Sequence, residues 1–375
     1  MRDERSSLRA MKADSIGQLI MTGVPGKQLD AETARLFRRV QPGAYILFGR
    51  NLESGTQLRK LIDDLRDLSD IEPIITIDQE GGRVSRLRRI GKEPPNAQQL
   101  RETNDLDLIR RHGDITGRLL RLFGFNLDLC PVLDISFNDD AENSLYGRCY
   151  GKTVEQVVRN AAVFNEAMRE QGIASCGKHF PGYSAATSDA HYQLPRIDRT
   201  REELDQNEMA VFREFVDEVD SMMVCHGWYP CFESQPTPAT VSRRIVTELL
   251  RNEFGFDGLV MTDDLDMGAI LTGYRLDETI RFCVEAGNDI VMLCHRVPEI
   301  ETVHEILGTL PSDQIERAQQ NISEFKKNLS PPYKFSESMF QEINEEIADL
   351  RSVVVGEEKS ERTVSERQIS PVERF

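Results

Sequence analysis

Two clusters of ionisable residues hold most of the chemistry this sequence can offer. The first is Thr262-Asp263-Asp264-Leu265-Asp266-Met267, three carboxylates directly after an apolar run. A carboxylate in that place can attack an anomeric carbon, ligate a metal or cap a helix. One cap does not need three acids, so at least one of them is expected to do something else. The second is Cys176–Pro195, CGKHFPGYSAATSDAHYQLP, which gathers Lys178, His179, Asp189 and His191. In Asp189-x-His191 the two side chains can point the same way, and a carboxylate can then hydrogen-bond the imidazole. That fixes the tautomer and raises the basicity of the distal nitrogen. The plainer alternative is a solvated loop histidine. A metal site from Asp189, His191 and His226 ranks lower, because no further histidine–carboxylate cluster supports it.

Other polar residues follow the same logic. Lys178-His179 and Asp78 each come straight after an apolar run, Arg86 follows Asp78, and Arg148 lies in a Tyr-Gly-Arg-Cys-Tyr-Gly loop. Such groups can grip a hydroxyl-rich ligand, or they can form salt bridges that brace loops against one another. For Arg83, Arg88 and Arg89 bracing is the expectation. His112 and His304 lie on helical patterns and are expected at the surface. Ser144, Ser184 and Ser188 lack a G-x-S-x-G elbow, which sets serine-hydrolase chemistry aside.

The elements that must carry these residues alternate along the chain. A helix is expected over Ser15–Thr22 and another over Asp30–Gln41, with Asp30 as its N-cap. Strands are expected at Ala44–Phe48, Pro73–Ile77, Leu127–Leu133, Ile173–Cys176, Ser221–Cys225, Leu259–Met261 and Asp289–Leu293. Helices at Gly55–Leu68, Asp105–Phe123, Val154–Gln171, Arg201–Val216, Ser242–Glu253 and Glu278–Ala286 separate them. Short, continuously apolar strands suit a parallel sheet buried on both faces. Their regular interleaving with amphipathic helices implies right-handed βαβ units. At least seven such units, with polar residues after nearly every strand, favour a TIM-type (β/α)8 barrel over a doubly wound sheet. No G-x-G-x-x-G fingerprint follows the first strand. Residues 1–330 are read as the barrel and 331–356 as a C-terminal extension containing a helix at Glu337–Ser352. The charged stretch 357–375 is read as a disordered tail.

Composition narrows the function classes. The 375 residues carry 46 Lys and Arg against 63 Asp and Glu, a formal charge of −17. That acidity argues against nucleic-acid or anionic-membrane partners. The N-terminus is charged where a signal peptide would be apolar, and no apolar run approaches bilayer length. Seven cysteines, several inside apolar runs and none in a C-x-x-C pair, read as buried free thiols of a cytoplasmic protein. No metal and no cofactor is implied.

Seven segments taken together resemble one family. They are ILFGRN, IDQEGGRVSRLR, CPVLDI, GKHFPGYSAATSDAHYQLP, MVCHGWYP, PATVSRRIVTELLRNEFGFDGLVMTDDLDM and AGNDIVML, in that order. The set is similar to glycoside hydrolase family 3, in its bacterial β-N-acetylglucosaminidase branch, over roughly Ser15–Gln320. The resemblance implies Asp263 as nucleophile, His191 as general acid/base and Asp189 as its partner. It places Asp78, Arg86, Arg148, Lys178 and His179 at sugar-binding positions. Family β-glucosidases draw their acid/base from a second domain, for which too little chain remains after Asn288. In one place the chain departs from the pattern: Tyr183-Ser184 stands where the family has His-Gly. Glycine there would permit a backbone conformation that serine resists, so loop shape and leaving-group preference are open at this point.

The implied reaction is double displacement with retention, releasing terminal β-linked N-acetylglucosamine from a small oligosaccharide or glycoside such as a cell-wall fragment. A phosphorylase using the same residues and a non-catalytic sugar-binding barrel are the competing readings.

Overall fold

A computed structural model describes residues 16–140, 144–186 and 188–357. Eight strands close a barrel: β1 (Ile20–Gly23), β2 (Ala44–Leu47), β3 (Ile74–Ile77), β6 (Leu127–Asp128), β7 (Ala174–Phe180), β8 (Ser221–Val224), β9 (Leu259–Asp264) and β10 (Ile290–Leu293). Every neighbouring pair is parallel, and β1 closes the ring between β10 and β2. A small antiparallel hairpin, β4 (Gln79–Gly81) with β5 (Val84–Ser85), springs from the end of β3. This is the (β/α)8 barrel the alternation implied.

The strands are buried along both faces, which is why they read as unbroken apolar runs. Around them run amphipathic helices whose caps follow from sequence. Asp30 accepts from the backbone N–H groups of Glu32 and Thr33, Thr153 from Gln156, and Ser54 from Gln57. The helix Glu337–Val355 docks on the outside through Phe340, Ile343, Ile347 and Leu350. Phe340 meets Phe123 edge-to-face at 5.0 Å, and Arg118 pairs with Glu346 at 2.6 Å. Of the stretch expected to be a tail, all but Glu357 lies outside the described residues. Among the described residues no helix is long and apolar enough to cross a membrane.

The strand expected over Leu127–Leu133 covers only Leu127–Asp128, and the helix expected over Arg201–Val216 is two helices, Arg201–Gln206 and Glu208–Glu214. Two further expectations fail outright. The segment read as a helix, Ser15–Thr22, is a short 3-10 turn (Ile16–Leu19) leading into β1. Met21 pairs with both Ala44 and Met292, and a Cβ on Gly17 would lie 1.7 Å from the Val40 carbonyl oxygen. Strand pairing on both sides therefore overrides the helical spacing of Ile16, Leu19 and Ile20.

His112, expected at the surface, is fully buried in the helix Leu106–Phe123 with its ring 5.2 Å from Phe164. Neither ring nitrogen has a partner among the described residues, and burial pushes its pKa down to about 4. Its folded pKa thus lies below the ordinary value near 6.5, so the unfolded chain takes up the proton first. The associated stability is present above pH 6.5 and is lost as pH falls towards 4. His112→Leu should flatten this acid limb. Between pH 7 and pH 5 the wild type should lose about 2 kcal/mol more than the variant, at ~1.4 kcal/mol per unit of linked titration. Urea unfolding at the two pH values measures this; parallel losses would contradict it.

Candidate active site

The C-terminal ends of the strands share one rim, and the site is built there. A cavity opens at this end. Asp78, Arg86, Arg148, Lys178, His179, His191 and Asp263 all line it. Asp189 is absent from the wall and reaches the cavity through His191. Every residue singled out for chemistry or binding is thus brought to one place. A larger hollow lies at the opposite end, beside Ala174, Leu259 and the Arg169–Asp220 ion pair, away from these residues.

The three acids after β9 divide their work. Asp264 accepts from the N–H of Cys294 at 3.1 Å and of Asp266 at 3.0 Å, with His295 Nε2 3.5 Å from its other oxygen. Burial, and then the Asp266 charge, push its pKa well above the usual carboxylate range. Asp266 accepts from the N–H of His295 and Arg296 and pairs with the Arg296 guanidinium at 2.5 Å. Both acids clamp the end of β9 to the loop after β10. Asp263 is different: Oδ1 accepts only the N–H of Asp264 at 2.8 Å, and Oδ2 makes no hydrogen bond among the described residues. Burial raises its pKa, but His226, His179, the Asp264 N–H and His191 outweigh that, and the net shift is downward. Asp263 is therefore an ionised carboxylate on the cavity wall with one oxygen uncommitted.

His191 donates from Nδ1 to Asp189 Oδ1 at 2.6 Å, and the same oxygen accepts the His191 backbone N–H at 2.9 Å. Burial raises the Asp189 pKa, yet hydrogen bonding and charge from His191 bring it below its ordinary value. With Nδ1 committed, Nε2 is the nitrogen left to exchange protons. His226 does not join a metal set. Its Nε2 donates to the Asp264 carbonyl at 2.9 Å and its Nδ1 meets Thr240 Oγ1 at 2.8 Å.

Below the cavity lies a buried ion network. Lys178 Nζ sits 2.8 Å from Asp78 and 2.7 Å from Glu80, Arg86 donates to Asp78 at 3.1 Å, and Arg148 forks onto both oxygens of Glu80 at 2.7 Å. Burial raises the Glu80 pKa, but Arg148 and Lys178 outweigh it and hold it at about 2. Asp78 is depressed in the same way by Lys178 and Arg86. For Lys178, burial favours the neutral amine, but the two carboxylates overcome it and the pKa ends above its usual value. These groups stay charged and fixed. The two carboxylates take two of the three N–H donors of Lys178.

Sequence reading missed Glu80 and Asp134. Asp134 Oδ2 accepts His179 Nδ1–H at 2.7 Å, while Oδ1 accepts the Tyr183 N–H at 2.6 Å. Glu80 lies in β4, two residues beyond Asp78, and Asp134 directly follows the apolar run Leu127–Leu133, the same kind of signal that identified Asp78. Arg83 and Arg88 brace loops as expected, onto the Ser144 carbonyl and Glu93. Among the described residues no group of three or more His, Cys, Asp or Glu is arranged to hold a metal.

Comparison with known proteins places the chain in a family. The chain is 33% identical over 300 residues to a beta-hexosaminidase of Vibrio cholerae serotype O1, covering 79% of this chain and 87% of that one. A beta-hexosaminidase of Tolumonas auensis is 31% identical over 303 residues, 79% of this chain and 89% of its own. The structure of a glycoside hydrolase family 3 beta-N-acetylglucosaminidase from Paenibacillus sp. str. FPU-7 superposes with a TM-score of 0.81 at 32% identity, over 90% of this chain and 68% of that one. Residues 11–325 match the Glycosyl hydrolase family 3 N terminal domain, and the chain belongs to that family.

Proposed function

We propose that the chain is a retaining, exo-acting β-N-acetylglucosaminidase, with Asp263 as nucleophile and His191, oriented by Asp189, as general acid/base. One observation carries the assignment. Of three neighbouring acids, Asp263 alone is free of loop clamping, and it lines the same cavity as His191.

In the first step an Asp263 oxygen bonds to the anomeric carbon as the bond to the leaving oxygen breaks, and His191 Nε2–H passes its proton to that oxygen. In the second, His191 Nε2 takes a proton from water, the water oxygen bonds to the anomeric carbon, and Asp263 departs as a carboxylate. Asp189 holds the Nδ1–H throughout and balances the imidazolium of the resting acid. Asp78, Arg86, Lys178, His179 and Arg148 would receive the sugar hydroxyls, the three cations being held in place by Asp78 and Glu80.

The named relatives support N-acetylglucosamine as the glycon. Seven free cysteines, six of them buried, support a reducing compartment and hence cytoplasmic substrates such as cell-wall fragments. The test is hydrolysis of nitrophenyl β-N-acetylglucosaminide against the β-glucoside, with and without phosphate. The acetamido sugar should be preferred by at least tenfold, or ~1.4 kcal/mol, with the β-anomer released first. A preference for the glucoside overturns the substrate. Acceleration by phosphate with release of the sugar 1-phosphate overturns hydrolysis in favour of phosphorolysis.

A further inference from the structure

Tyr183-Ser184, where the chain departs from its family's pattern, is tied into the loop that bears the Asp189–His191 pair. Tyr183 is buried, its phenol donating to the Ser188 carbonyl at 3.1 Å and accepting the Ala190 N–H at 2.9 Å. The hydroxyl thus grips the backbone on both sides of Asp189. The root of the loop is fixed too: the Tyr183 N–H donates to Asp134, and Ser184 Oγ accepts the Ile135 N–H at 2.8 Å. Across the cavity, the Gly268 N–H donates to the His191 carbonyl at 3.1 Å and the Ala269 N–H to the Ala190 carbonyl at 3.0 Å. Those donors open the short helix Gly268–Leu271, which follows Asp263–Asp266 in the chain. The loop is held between two anchors, one of which continues directly from the nucleophile's strand. Ser184 needs no glycine, because no positive φ falls there; the left-handed position is Gly182, at φ 122°.

We propose that Tyr183 is a positioning residue whose hydroxyl holds Asp189 and His191 in register with Asp263. The inference rests on the reading of His191 as acid/base. Fixing a loop otherwise free to wander removes the entropy of finding the reactive arrangement from the activation step. Burial keeps the phenol protonated, so it can donate and accept at once. Binding of the glycon does not involve this brace.

The test uses kcat/KM, which covers binding and the first chemical step but not the second, for two leaving groups. Phenoxide needs a proton from His191; 2,4-dinitrophenoxide leaves without one. Tyr183→Phe should slow the phenyl β-N-acetylglucosaminide roughly 10–100-fold, within the range of general acid catalysis. The dinitrophenyl substrate should change less than about threefold, and inhibition by free N-acetylglucosamine should not change. Gly268→Ala perturbs the other anchor, since its Cβ would fall 2.7 Å from the His191 carbonyl oxygen. It should give the same signature, and keeps the proposal testable should Tyr183→Phe fail to fold. His191→Ala is the control. If it shows the leaving-group dependence while the Tyr183 and Gly268 variants slow both substrates equally, or neither, the positioning role is overturned alone. If His191→Ala itself shows no such dependence, the acid/base reading falls and the positioning role with it.

Discussion

Asp263→Asn should lower kcat/KM for an aryl β-N-acetylglucosaminide by about 10⁴-fold or more, a loss of at least ~5 kcal/mol of transition-state stabilisation. The fold should survive. Asparagine keeps the side-chain volume and the oxygen that accepts the Asp264 N–H at 2.8 Å, so the cost should be limited to the favourable charge interactions with the neighbouring imidazoles. Binding of free N-acetylglucosamine should persist, because the grip on the sugar is assigned to Asp78, Arg86 and Lys178. What disappears is the atom that bonds to the anomeric carbon. Mass spectrometry after reaction with a slow fluorinated glycosyl donor provides the second measurement: the wild type should carry one sugar on the peptide holding Asp263, the variant none. Label on another acid would move the nucleophile. Unchanged turnover in the variant would show that Asp263 is not the nucleophile, and no turnover in the wild type would leave only a sugar-binding role for the rim.

Why Asp263 could be found in advance, while its supports could not, is a matter of what each residue needs from the fold. Strands buried on both faces leave continuous apolar runs, so their ends, and the polar residues just beyond, are visible in one dimension. That made Asp78, Lys178, His179 and Asp263 legible. The residues alone left Asp263, Asp264 and Asp266 open and only the resemblance chose Asp263; the physical distinction lies in the loop after β10, whose N–H groups at Cys294, His295 and Arg296 consume the other two. Glu80 lies two residues beyond Asp78 in extended chain, and that alternation places both side chains on one side. This signal was present and unused. His112 was misplaced for a similar reason. Its place on a helical pattern was read as surface, yet it shares the i, i+3, i+4 face of Ile109, Gly113 and Thr116, which is buried. The first barrel strand was hidden because only its pairing with β10 and β2, far away in sequence, decides against a helix. Tyr183 and Ser184 could be flagged as a departure. That their hydroxyls become loop anchors depends on Ser188, Ala190 and Ile135 lying within reach in three dimensions.

Glu80→Ala should be the most damaging single change to stability at the rim, costing about 3–5 kcal/mol. Glu80 is buried and receives Lys178 on one oxygen and Arg148 on both. Truncation would leave two buried cations to share what Asp78 can still offer, and Asp78 is already bound to Arg86. A buried ion pair adds little over an apolar replacement of equal shape, but removing one partner leaves an uncompensated charge. Glu80→Gln keeps the volume and one acceptor, so its cost should be smaller. The pH dependence gives an independent check. The folded pKa of Glu80, about 2, lies below its ordinary value near 4.5, so its ionised form contributes stability above pH 4.5 that is lost as pH falls towards 2. The difference between wild type and Glu80→Gln in urea midpoint should therefore be full at pH 7 and shrink as pH is lowered from 5 towards 2. Turnover should fall with stability, because Arg148 and Lys178 would no longer be held against the cavity. A Glu80→Ala protein as stable as the wild type would mean that Asp78 alone satisfies both cations. The rim would then be a flexible cluster of charges rather than the pre-set cradle on which sugar binding is argued.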